Sequence, residues 1–235
     1  MSDPRAAAFL AHAADLQGRD DAAAARIGAV ADLLRRADQL RGRATALAAS
    51  LSALPAERAQ LDDAEAAARL REAAARRELA EAERRVEELE RSRRSGDQAK
   101  SQARRELNTA RQALADAGAG IDRIVARRGS LLGEERAWRA EADGLAAAAR
   151  EVAAAIGETS GVSASGRTEP GTTLAALEEW GARAHAALFV VRHGLEEERE
   201  RIVNEANALG ASLLGEELGG SSVASVRRRL EEAFA

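Results

Sequence analysis

Residues 107–156 read LNTARQALADAGAGIDRIVARRGSLLGEERAWRAEADGLAAAAREVAAAI, and this stretch decides the fold. Leu107, Ala110, Leu114, Ala117, Ile121, Ile124, Arg128, Leu131, Glu135, Trp138, Ala142, Leu145, Ala149, Val152 and Ile156 recur at alternating spacings of three and four. That alternation is a sustained seam on one helix face, broken by charge at Arg128 and Glu135. Upstream, a second seam holds one phase through Val30, Leu33, Ala37, Leu40, Ala44, Leu47, Leu51 and Leu54. It continues beyond Pro55 through Arg58, Leu61, Glu65, Ala68, Glu72, Ala75, Leu79, Ala82, Val86 and Leu89. Proline removes one helical hydrogen bond and predicts a kink. The unbroken phase predicts that the helix nevertheless continues.

Between the seams, Ser92 to Asp97 supplies a turn, with Gly96 suited to a helix end and Asp97 to the next N-cap. Closing the arms there makes facing residue numbers sum to about 189 in an antiparallel pair. Leu79 then meets Ala110, Ala68 meets Ile121, Leu51 meets Trp138 and Leu33 meets Ile156. At Leu79–Ala110 and Ala68–Ile121 large opposes small, which lets the axes approach toward ~8 Å. Glu65 falls diagonal to Arg128 and Arg58 to Glu135, whereas a one-heptad slip sets Glu65 against Glu135. Arms of roughly 60 residues span about 90 Å. The predicted class is all-α, a long antiparallel coiled-coil hairpin over residues 20–156. A compact bundle broken at Pro55 and the glycines is the alternative.

Composition agrees with long helices. The chain has 235 residues, 35 Lys+Arg against 39 Asp+Glu, a net charge of -4 and 2% aromatic residues. Much of the 46% hydrophobic content is alanine, which argues against a large globular core. The absence of cysteine removes disulfides and thiolate chemistry and leaves cytoplasm as the default expectation. Lys100 is the only lysine, as expected of coding bias in a GC-rich bacterial genome. No apolar run approaches the ~20 residues of a membrane span, and no signal-peptide pattern opens the chain.

Flanking the hairpin, Asp3 and Pro4 suit a helix start, and a short helix carrying Phe9, Leu10 and Leu16 is expected to end at Gly18. It reads as an interfacial anchor or as a helix docked on the hairpin. Residues 157–171, rich in Gly, Ser and Thr, predict a flexible linker. Thr172 or Thr173 then caps an amphipathic helix ending near Leu209, and Ser222 a last short one bearing Val223, Val226, Leu230 and Phe234. In layout, a long hairpin with short flanking helices resembles the membrane-remodelling proteins of the phage-shock class and the coiled-coil zinc-ribbon proteins. The missing cysteines remove the ribbon of the second.

Chemical motifs are missing. The lone lysine follows Ala99, so no phosphate-binding loop exists. Gly118 and Gly120 lie inside a helical arm, not between a strand and a helix. His193 and Glu197, four apart, are two ligands and not a metal site. No catalytic residue, cofactor, metal or small-molecule substrate is therefore expected.

Partner contact is expected at two places. One is the basic tip, where Arg91, Arg93, Arg94, Lys100, Arg104 and Arg105 face only Asp97 in that window. The other is the helix around Trp180, Leu188, Phe189, Val191 and Leu195, whose apolar face is too wide to stand uncovered. A small-residue stripe opposite the descending seam (Ala126, Gly129, Gly133, Ala137, Ala140, Gly144, Ala147) offers that helix an intrachain seat; a second chain is the alternative. The expected role is a non-enzymatic scaffold or tether acting through protein partners or self-association. A peripheral membrane assembly protein and an accessory of a DNA-handling ATPase are the other readings.

Overall fold

Sustained seams make long helices. The computed structural model describes residues 4–92, 96–159, 161–215 and 221–234. Helix α1 spans Pro4–Arg91, α2 Asp97–Glu158, α3 Leu174–Leu214 and α4 Val223–Phe234, an all-α chain in which α1 and α2 form the hairpin. The chain divides into two units, Met1–Leu47 with Ala142–Ala235, and Ala48–Glu141.

In the unit Ala48–Glu141, two antiparallel helices share a thin seam. Leu54, Ala68 and Ala75 of α1 and Ala103, Ala110 and Leu131 of α2 are buried, while residues off the seam are mostly exposed. α1 runs through Pro55 without interruption. Ion pairs cross between the two helices. Arg58 bonds Glu135, and Arg128 bonds both Glu65 and Asp62, each at 2.6 Å. Arg85 reaches Glu106 at 3.3 Å and Arg104 reaches Glu90 at 2.9 Å. Of these, Arg58–Glu135 and Arg128–Glu65 are the diagonal pairings expected of the unslipped register.

The unit Met1–Leu47 with Ala142–Ala235 is thicker. α3 lies antiparallel to the first part of α1, with Arg199 bonded to Asp20 at 2.7 Å and His185 beside Asp38 at 2.9 Å. The approach is close at Gly181: a Cβ there would lie 2.9 Å from the Arg41 Cβ and 3.4 Å from the Ala37 carbonyl oxygen. α4 closes the end, placing Val226 and Leu230 on Ala13, with Leu10 packed alongside.

Three expectations are corrected here. Gly18 does not end a helix, because α1 runs through it. Leu16 before it and Ala23 after it share one buried cluster with Ile202, Ala206 and Val223. That packing outweighs the ~1 kcal/mol a helical glycine costs. The 157–171 segment is folded back rather than a free tether: Val162 and Pro170 are buried, and the Trp180 indole donates to the Thr168 carbonyl at 2.8 Å. Finally, the seat of α3 is α1, not the small-residue stripe of α2. A Cβ added at Gly129, Gly133 or Gly144 would meet no neighbouring heavy atom within 4 Å, and the stripe is exposed.

The helix ends are set by local chemistry. Thr173 caps α3, its hydroxyl accepting from the Ala176 N–H at 3.2 Å. α3 runs past Leu209 to Leu214 and ends at Gly215, whose φ of 70° suits glycine. Ser222 caps α4, although Phe234 stays 40% exposed. Gly96 takes the cap position ahead of α2, its carbonyl accepting from the Lys100 N–H, and Asp97 is the first helical residue. The expected cap Asp3 lies outside the described residues.

The open stripe on α2 has a measurable effect. Gly133→Ala in the full chain should raise stability by about 0.5–1 kcal/mol, because open space surrounds the site and alanine is the better helix former. A loss of stability in urea melts would show that something does pack on this stripe.

Candidate interaction surfaces

Trp180 and Leu188 are fully buried and Leu195 nearly so. As partner contacts they are therefore corrected: the α3 seam is core, because α1 supplies the second surface within the chain. Val191 is half-buried next to Gly161. Phe189 alone of the expected group stays open, at 60% exposure, stacked on His185 with ring centroids 6.4 Å apart.

At the tip, three of the four described cations have side-chain partners. Arg91 bonds Glu87 and Arg104 bonds Glu90, both at 2.9 Å, and Arg105 bonds the Gln102 side chain at 2.9 Å. Lys100 is half-buried. Arg93 and Arg94 lie outside the described residues. Exposed pairs of this kind contribute little to stability, but each acid offsets the positive field that a polyanion needs.

The charges between the helices are organised more tightly. Arg127 donates to Glu134 at 2.6 Å and to Glu57. The bond to Glu134, then that to Glu57, raises the Arg127 guanidinium above its ordinary value. The Arg127 bond, then that from Ser130, holds the Glu134 carboxyl below its ordinary range. A lowered carboxyl stabilises the fold above its unfolded value and loses that effect as pH falls through the lowered one. Both groups are solvent-facing, so the effect is small. On the other unit, the hydrogen bond from Arg199 to the buried Asp20 raises the Arg199 guanidinium. His185 Nδ1 and Asp38 Oδ1 are close but lack hydrogen-bond alignment.

No group of three metal-ligating side chains occurs among the described residues, and no described helix is long and apolar enough to cross a membrane. The recesses of the two-helix unit are open grooves floored by alanine and rimmed by charge, as around Ala74, Ala113 and Gly120.

What sequence reasoning missed are exposed apolar side chains off the seam. Leu70 is 74% exposed, Val125 55% and Leu132 45%, all in the unit Ala48–Glu141, and Val190 is 70% exposed on α3. Their signal was available, since each falls outside the seam phase. No protein-family model, curated protein or solved structure matches the chain.

Proposed function

We propose that this chain is a non-enzymatic coiled-coil scaffold that works through protein contacts along its two-helix unit. One observation carries the reading: a unit with a single thin seam turns Leu70, Val125 and Leu132 outward. Two helices with no third layer give an extended surface, and apolar side chains on it favour a protein partner over water. The paired tip, the burial of Leu16 and the packing of Leu10 against Ala13, Val226 and Leu230 give less support to polyanion or membrane binding.

Photocrosslinking side chains placed at Val125 and Leu132 in the source cell test this. Discrete protein adducts at these positions, and none at exposed polar controls such as Gln60, are expected. A chain that yields no adduct, but instead sediments with anionic vesicles or shifts duplex DNA at physiological salt in a manner lost in Arg104→Glu, overturns the proposal.

A further inference from the structure

Around Leu70 the outward face of α1 is self-complementary. Asp63, Ala66, Ala67, Leu70, Ala73, Ala74 and Arg77 follow one another at one- and three-residue steps, opposite the seam residues Glu65, Ala68, Glu72 and Ala75. Leu70 is 74% exposed, the most exposed large apolar side chain among the described residues. The face is symmetric about it, with alanines three and four residues to either side and a charge of opposite sign seven residues away at each end. Asp63 and Arg77 have no ion-pair partner among the described residues, although many neighbouring charges do.

We infer that a second copy of this chain docks antiparallel on this face, with the two-fold axis at Leu70. The inference rests on the scaffold reading and names one partner for it. An antiparallel two-fold sets each residue below Leu70 against its mirror above it. Asp63 meets Arg77 of the second copy, twice over, and Ala66 and Ala67 meet Ala74 and Ala73 of the second copy. Alanine on both sides lets the helix axes close toward ~8 Å, so the two leucines bury each other across the axis. A parallel pairing instead sets Asp63 against Asp63 and Arg77 against Arg77, which selects the antiparallel form. Beside the axis the same two-fold sets Arg69 near Arg71 of the second copy, a like-charge contact that Glu65 reduces by pairing with Arg69 within its own chain. From residue 63 to residue 77 the contact is ~22 Å long at 1.5 Å per residue. A strip of that length on a helix ~10 Å wide covers only about 220 Å², well below the roughly 800 Å² per partner of a standard interface, so the dimer dissociates on dilution.

Sedimentation of the full chain over a concentration series tests this. A reversible monomer–dimer equilibrium is expected. Leu70→Glu should weaken it by roughly tenfold or more, since two leucines lose their cover, without shifting the melting curve of so exposed a site. Asp63→Arg alone and Arg77→Asp alone should each weaken the dimer, and the two together should restore it. The chain has no native cysteine, so Leu70→Cys should form an intermolecular disulfide on mild oxidation. A chain monomeric at every concentration, or a dimer indifferent to Leu70→Glu and to the charge swap, overturns the inference. Adducts with a different protein at Val125 and Leu132 would leave the scaffold reading standing in either case.

Discussion

Trp180→Ala is expected to lower the stability of the full chain by about 3–5 kcal/mol, the range for truncating a large buried aromatic side chain. Trp180 is the largest fully buried side chain among the described residues. It precedes Gly181, which meets Arg41 of α1, and its indole N–H donates to the Thr168 carbonyl. The substitution thus opens a cavity and releases the 157–171 segment from α3 at one stroke. A fall of roughly 10 °C in melting temperature follows for a domain of this size. Trp180→Phe separates the two parts, keeping most of the volume while giving up one hydrogen bond, for about 1 kcal/mol plus a small void. The mass measured by light scattering should not change in either variant. If Trp180→Ala instead dissociated an oligomer and left the melt in place, α3 would be an intermolecular element after all.

How much of this was legible in the sequence follows from the range of each interaction. The seams were legible because a three-and-four spacing of Leu, Ile and Val is a local pattern. The pairs Arg58–Glu135 and Glu65–Arg128 were legible because a short turn fixes which residues face each other. Gly18 misled because its effect is local and small, while Leu16 and Ala23 on its flanks are held by Ile202 and Ala206, far along the chain. The seat of α3 was illegible for a related reason. The exposed glycines of α2 and the buried Gly181 of α3 carry the same local mark, and only the fold shows that Gly181 meets Arg41. The 157–171 segment reads as a tether by composition, yet Val162, Pro170 and the Trp180 indole tie it down. At the tip, the acids come just before the run that reads as basic: Glu87 lies one turn before Arg91, and Glu90 meets Arg104 from the other helix.

Arg128→Glu should have the largest effect in the two-helix unit. Arg128 donates to Glu65 and Asp62, and the Glu65 side chain is only 12% exposed. Reversal removes both bonds and adds a third acid beside a nearly buried one. At an effective dielectric near 20, like charges ~4 Å apart repel by about 4 kcal/mol. Discounted for the open side of Arg128, the net loss is about 2–3 kcal/mol, read from urea melts. Adding Glu65→Arg should recover part of it. Replacing both Glu65 and Arg128 by leucine separates stability from alignment. Apolar replacements of ion pairs on a packed surface are often neutral or stabilising where the pair is buried; Glu65 is nearly so and Arg128 partly, so the melt should change little. What the charges contribute is register, because a one-heptad slip is opposed by Glu65 meeting Glu135. In the native chain, Leu79→Cys should crosslink with Ala110→Cys and poorly with Ala117→Cys. In the double-leucine background the Ala117→Cys product should grow. Crosslinking confined to Ala110→Cys in both backgrounds would mean that turn length and the large-against-small layers suffice to align the arms.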